Sequence, residues 1–486
     1  MKYTIERAND FIQTNTIDRK FYPNLNYAAP VGWLNDPNGV SVFNGEYHLF
    51  YQYFPYDSKW GPMHWGHSVS KDGINWQDKG VALAPDQPYD KDGCFSGSAI
   101  EKDGKLYLMY TGHLENGDES LKRENQNIAV SEDGVNFVKY ENNPVIDEKL
   151  LPDGTAVQDF RDPKLFEKDG IYYCIIGAKD TNNWGQVLLY KSEDLFDWEF
   201  VSVILEKNEY LGSMAECPDI MFFEDKDVLV VSAMDYYDKA TDKIYPHLTL
   251  MLEGKFDWKT HQFKVNHTRV MDYGLDFYAP QSALEPTGEY FFTAWNQAWN
   301  RTYPTDVLRH GWNGQMTVPR QLYEQDGILK QSIHPKVMET LEVLMKADQV
   351  EINSIDLNKF NNVQYVSFEI DNNTDFRMVF GNSANDSSVS LEHANRKVQF
   401  SRDKSDVIIY DTEDLEMSHT KLIISDEVDK IKFDLVIDRS SMQIIINDYD
   451  AMSNTFYLEL PINEIKFFTK DYHASITNFV VGTFNK

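Results

Sequence analysis

Residues Lys168–Ala178 read KDGIYYCIIGA: a turn of Lys, Asp and Gly, then an unbroken apolar run. Asp-Gly marks a turn, and Ile, Tyr and Cys in succession suit the strand that follows it. The same phrase recurs as NGEYHLFYQYF (Asn44–Phe54), KDGKLYLMYTGH (Lys102–His113), EDKDVLVVSAM (Glu224–Met234) and TGEYFFTAW (Thr287–Trp295). A second phrase, an acidic turn leading to an aromatic residue, follows four of these. It reads SKDGINW from Ser70, SEDGVNF from Ser131, SEDLFDW from Ser192 and GKFDW from Gly254. The period is about 60 residues, longer than the repeats of familiar propellers but enough for four strands and long loops. Five such units predict an all-β fold that begins with a five-bladed β-propeller over residues 25–330.

The chemistry falls at one place in each unit. Eight to ten residues before each turn stand Asp36, Ser96, Asp162, Glu216 and Tyr278, in GWLNDPNG, CFSGSA, FRDPKLF, AECPDI and DFYAPQS. The innermost strands of a propeller face its axis, so equivalent positions on them converge. Three of the five carry a carboxylate. An isolated Asp-Pro-Asn-Gly is good turn chemistry and needs no other explanation. Three acids in one phase of a repeat do need one, because converging carboxylates repel and persist where they have separate tasks.

Composition limits the alternatives. The chain has 486 residues, 42% hydrophobic, enough for one large and one smaller core. Aromatic residues make up 14%, which suits both strands and sugar-stacking surfaces. A net charge of −31 disfavours nucleic acid and anionic membranes as partners. No run of about 18 apolar residues occurs. The three cysteines, Cys94, Cys174 and Cys217, lack metal-ligand spacing, and the N-terminus shows no apolar leader, so the expectation is a cytoplasmic chain with reduced thiols. His64 and His67 have no partner at metal spacing and read as structural residues or sugar contacts.

Beyond the propeller phrases the rhythm changes. DGILKQSIHPKVMETLEVLMKADQ lacks the repeat, and its periodicity does not decide between helix and strand. From Val350 short alternating strands resume, such as KIKFDLVID from Lys430, and predict a β-sandwich without a catalytic cluster. The expected plan is an N-terminal extension (1–24), the propeller (25–330), a linker (331–349) and the sandwich (350–486).

These residues resemble glycoside hydrolase family 32, the β-fructofuranosidases. WLNDPNG (from Trp33), FYQYFP (Phe50), WGPMHWGH (Trp60), FSGSA (Phe95), FRDP (Phe160) and ECPD (Glu216) stand in the family's order. VIDRSSMQIIIND, from Val436, is similar to the family's sandwich motif, with Gln443 where an acid is usual. The resemblance implies that Asp36 is the nucleophile, Glu216 the general acid and base, and Asp162 a transition-state stabiliser. It implies that Asn35, Gln52, Trp60, Phe95, Ser96, Arg161 and Trp295 line a sugar pocket, with Tyr278 beside the acid/base. No metal or cofactor is implied. The oligomeric state is left open.

The implied chemistry is retaining hydrolysis of terminal β-D-fructofuranosides. Two carboxyls about 5–5.5 Å apart let one attack carbon while the other protonates the leaving oxygen. Glu216 is then expected to hold its proton near neutrality, pushed there by apolar neighbours and two other carboxylates. ALAPDQPYDKDGCFSGSAI, from Ala82, is most similar to the sucrose-6-phosphate hydrolases within the family, which makes sucrose 6-phosphate the leading candidate ahead of sucrose and short fructo-oligosaccharides. Lys122, Arg123 and Arg301 are the candidates to hold its phosphate. Competing readings are an inverting five-bladed glycosidase on arabinan or xylan, a fructosyl transferase, and a sugar-binding propeller without activity.

Overall fold

The computed structural model describes residues 3–486 apart from 207–208, 240–241, 300, 361, 406–409, 412–419 and 472. It is built almost entirely of strands. Among the described residues no helix is long and apolar enough to cross a membrane.

Five sheets share one plan. Their first strands are Gly32–Phe43, Gly93–Lys102, Thr155–Lys168, Met214–Phe222 and Tyr278–Leu284. Each pairs antiparallel with the next strand in the chain: Glu46–Phe54, Lys105–Leu114, Ile171–Asp180, Asp227–Asp238 and Tyr290–Trp295. These second strands are the five recurring phrases. They are buried on both faces, which is why they read as continuous apolar runs rather than alternating ones. Three of the connecting turns are two-residue hairpins, with positive φ at Asn44–Gly45, Asp103–Gly104 and Asp169–Gly170. Asn-Gly and Asp-Gly adopt this conformation most easily, and its twist matches that of the strands.

The second phrase joins third strands to fourth. Ser70, Ser131 and Ser192 each donate to an aspartate two residues on, at 2.8–3.0 Å. Asp72, Asp133 and Asp194 in turn accept the next backbone N–H groups. The indole of Trp76 closes its turn onto Gly73 O, and that of Trp198 onto Leu195 O.

The five first strands touch one another in chain order, and the fifth touches the first. One further pairing closes this ring: Trp312–Asn313 runs parallel to Gly32–Trp33 at the edge of the first sheet. The N-terminal helix, Ile5–Thr14, is capped by Thr4 and docks on this sheet, with Asn9 Oδ1 accepting Val81 N at 2.9 Å.

Two larger sheets follow. One has six strands, in the order Leu341–Glu351, Ser475–Phe484, Tyr365–Asp371, Lys430–Ile437, Ser441–Ile446 and Asp450–Thr455. The other has five, with Phe376–Gly381 and Glu464–Thr469 among them. They share one core, in which Phe368 and Phe433 of the first pack against Phe376 and Phe467 of the second. The expected linker, 331–349, is corrected here. Ile328–Ile333 completes the fifth of the smaller sheets, and Leu341–Glu351 is an edge strand of the six-stranded sheet. Its side chains are mostly exposed or half-exposed, so no apolar alternation marked it.

Buried ions and amides bind the two parts of the chain together. Asp438 accepts the backbone N–H groups of Asn24, Leu25 and Asn26 at 2.6–2.9 Å. Arg320 and Asp272 are fully buried and 2.8 Å apart, and Arg320 also donates to Ser453 Oγ and Gln443 Oε1 in the six-stranded sheet. Gln443, the amide noted above, passes its own N–H to Asn26 Oδ1. Removing one partner of such an ion pair strands the other charge in a dry interior, whereas removing both does not. Asp272→Ala is therefore expected to lower stability by about 3–5 kcal/mol. In urea unfolding, Asp272→Ala with Arg320→Met should fall less than Asp272→Ala alone.

Candidate active site

Each first strand breaks register at one shared level, and the first and third break it once more elsewhere. The residues left out of regular pairing are Asn35–Asp36, Ser96, Asp162–Pro163, Cys217–Pro218 and Ala279–Pro280. A β-bulge bends its strand and re-aims a side chain. Proline suits such positions because a bulge leaves one ladder N–H unneeded. The second strand has glycine instead: a Cβ at Gly97 would lie 2.0 Å from Met109 O. Asp162, Cys217 and Ala279 have φ of 66°, 46° and 49°, in the left-handed region that non-glycine residues seldom enter.

The five bulges bring the expected residues together. Ser96 Oγ donates to Asp36 Oδ2 at 2.9 Å. Cys217 N donates to Asp162 Oδ2 at 2.9 Å, and its thiol lies 3.5 Å from that oxygen and 3.7 Å from Asp36 Oδ2. Thr111 Oγ1 accepts Asp162 N at 3.0 Å. Glu216 is gripped on both oxygens. Arg161 Nη2 donates to Oε1 at 2.8 Å, and Tyr278 Oη donates to Oε2 at 2.6 Å. Asp36 Oδ1 is buried without a hydrogen-bond partner among the described residues.

Beneath the carboxylates the strands are stitched across the axis. Gln281 accepts Val40 N and donates to Gly97 O, both at 2.9 Å, and Leu165 N donates to Ser98 Oγ. Lys164 joins Asp219 and Ser282 O. Only about 10 Å³ of void remains there, lined by Ser96, Asp162, Cys217 and Pro280 among others. A larger cleft of about 670 Å³ lies off this axis, between the N-terminal helix, residues 55–59 and residues 302–311.

Burial and the nearby Glu216 push Asp36 up to about 6, against the hydrogen bonds it accepts. Asp162 is pushed up to about 7 by burial and by Glu216 and Asp36, although Arg161 opposes this. Glu216 goes the other way. Burial raises it, but Arg161, His247 and the Tyr278 hydroxyl together hold it below the usual glutamate range. This direction is opposite to the one that apolar neighbours and two carboxylates would give. Its neighbours are a guanidinium and a phenol as well as two acids.

The pocket residues are placed as follows. Asn35 is buried and accepts the Trp33 indole N–H at 2.8 Å. Gln52, opposite the Asp36 bulge, donates to Cys94 O at 3.0 Å. Trp60 is 47% exposed and meets Phe95 edge-on at 6.0 Å. Trp295 is fully buried, covered by Trp33 and Trp299 with ring centroids 5.9 and 5.0 Å away. His64 and His67 are core residues kept neutral by burial, and His67 lies flat against Phe50 at 4.1 Å. The three cations considered for a phosphate are already engaged: Lys122 by Glu124 and Asp159, Arg123 by Glu148, and Arg301 by Asp276. Sequence reading does not single out Cys217, Glu124, Asp159 or His247. Only Cys217, beside Glu216 in the chain, carried a positional hint.

The family model of the glycosyl hydrolases family 32 N-terminal domain matches residues 27–333. The chain is 40% identical over 318 residues to a raffinose invertase of Escherichia coli, and 31% identical over 446 residues to a sucrose-6-phosphate hydrolase of Bacillus subtilis. The first match spans 64% of this chain and 64% of the relative, and the second 89% and 88%. A sucrose-6-phosphate hydrolase of Escherichia coli is likewise matched over 65% of its length. Among solved structures, the sucrose-6-phosphate hydrolase from Lactobacillus gasseri superposes with a TM-score of 0.85 at 26% identity, over 99% of this chain and 96% of that one. The Bombyx mori β-fructofuranosidase of family 32 gives 0.83 at 26% identity, over 99% and 98%. The chain belongs to glycoside hydrolase family 32.

Proposed function

We propose that this protein hydrolyses sucrose-type β-D-fructofuranosides, sucrose 6-phosphate among them, with retention of configuration. The five small sheets are read as the blades of a propeller and the two large ones as a sandwich, with the division near residues 334–340. The observation that carries the reading is the asymmetry of the carboxylates. Asp36 Oδ1 is buried and accepts no hydrogen bond from the described residues, while Glu216 is held on both oxygens by Arg161 and Tyr278. A free lone pair suits attack on carbon; a carboxyl with exchangeable partners suits proton traffic.

The reaction then runs in two steps. Asp36 attacks the anomeric carbon of the fructosyl unit while Glu216 protonates the departing oxygen. The fructosyl–Asp36 ester forms and the leaving sugar departs as its alcohol. Water, deprotonated by Glu216, next cleaves the ester and releases fructose. Asp162 faces the positive charge that builds on the ring between these states. Arg161 holds Glu216 toward its carboxylate form, so sugar hydroxyls that compete for Arg161 favour protonation of Glu216. The strongly negative chain and its engaged cations give no specific support for a phosphate preference. Side-by-side kcat/KM values for sucrose 6-phosphate, sucrose and kestose decide it, and an equal or higher value for a neutral sugar removes that preference alone.

Asp36→Asn is expected to lower kcat by about 10⁴-fold or more, because the covalent route is lost. The same substitution should stabilise the fold at high pH. The folded-state pKa of Asp36 is raised to about 6, so the wild type loses stability as pH rises from its ordinary value through 6. An asparagine escapes that loss, about 3 kcal/mol. Melting curves should show the variant matching wild type near pH 4 and exceeding it at pH 8; a gain of equal size at both would contradict the assignment. Glu216→Ala should slow sucrose cleavage by about 10²–10⁴-fold and spare an activated aryl fructoside. Added azide should then yield a fructosyl azide of retained configuration, and an inverted product would exclude the two-step route.

A further inference from the structure

Arg161, which grips Glu216, is itself gripped from behind. Its Nη1 lies 3.4 Å from Glu124 Oε2 and 2.8 Å from Asp159 Oδ1. The Glu124 side chain is fully buried. It accepts Phe160 N at 2.7 Å, next to Arg161 in the chain, and lies 3.4 Å from His113 Nδ1 and 3.8 Å from Lys122 Nζ. Arg161 and Lys122 keep it ionised against the effect of burial. His113 lies flat under Phe95, with ring centroids 4.0 Å apart and planes 10° from parallel. A continuous set of contacts thus runs from Phe95 through His113, Glu124 and Arg161 to Glu216.

We infer that Glu124 is a positioning residue that shares the Arg161 charge with Glu216 and so sets how readily Glu216 takes up its proton. This rests on the acid/base role proposed for Glu216. One guanidinium is shared among Glu124, Asp159 and Glu216, with Asp162 nearby. Whatever charge Glu124 and Asp159 neutralise is withdrawn from Glu216. Lys122 and Lys179 modulate this from outside, lying 3.5 and 3.2 Å from Asp159. Around Glu216 the other ionisable groups are Tyr278, His247, Asp36, Asp162 and Cys217. None of them touches Glu124 directly, so substitutions there leave the nucleophile side alone.

The sign of the effect follows. Glu124→Gln keeps the acceptor for Phe160 N but removes the charge. Arg161 then leans more fully on Glu216, and the alkaline limb of kcat for sucrose, where Glu216 of the substrate complex loses its proton, should move down by about one pH unit. Lys122→Met removes a cation that competes for Glu124 and Asp159. Both acids then hold Arg161 more firmly, and the same limb should move up. An activated aryl fructoside, which needs little protonation, should show a smaller change in both variants. Loss of activity by the same factor at every pH, with the limb unmoved, would reduce Glu124 to a structural residue and overturn the inference. If Glu124→Gln does not fold, Lys122→Met decides alone, and a limb that stays or falls overturns it. Failure of the underlying reading has a different signature: no azide product from Glu216→Ala, whatever the limbs do.

Discussion

Three carboxylates buried together, with one guanidinium among them, form the constraint on which the rest of this protein depends. Each acid alone would shed its charge in such surroundings, and each neighbouring acid makes the next ionisation harder. The fold offsets this with directed donors: a serine hydroxyl on Asp36, a backbone N–H on Asp162, a phenol and Arg161 on Glu216. These donors come from different sheets, so none can be placed without the ring of first strands. The backbone carries its share of the burden. Left-handed conformations at Asp162, Cys217 and Ala279 cost on the order of 1–3 kcal/mol each where nothing enforces them. Here the cross-axis bonds of Gln281, Lys164 and Ser98 enforce them.

The second half of the chain contributes to this constraint from a distance. Asp438 gathers three successive N–H groups just before the strand that carries Asp36. Gln443 and Arg320 extend the same contact, so the path of residues 24–26 is set by side chains from the six-stranded sheet and its turn. An acid in place of Gln443 would face both Asn26 and Arg320. The amide can donate to one and accept from the other, which an ionised carboxylate cannot do.

What was legible in the sequence follows from how local each signal is. Asn44-Gly45, Asp103-Gly104 and Asp169-Gly170 announce their hairpins because the positive φ values are a property of those residues themselves. The phase of Asp36, Asp162 and Glu216 was readable because a repeat converts sequence spacing into spatial equivalence. The proton state of Glu216 was not legible, since it turns on Arg161 reaching across from a neighbouring sheet. Nor was the burial of Trp295, which depends on Trp33 and Trp299 closing over it. Leu341–Glu351 escaped for a simpler reason: an edge strand with few buried side chains has no pattern to display.

The pairing of Gly32–Trp33 with Trp312–Asn313 sets an order on the birth of the molecule. Asp36 is made long before Asn313, and the strand that carries it lacks this neighbour until the chain has been made that far. Until then the strand that carries Asp36 is unpaired along that edge. That edge finds its partner only after the second strand of the fifth sheet, Tyr290–Trp295, has been made.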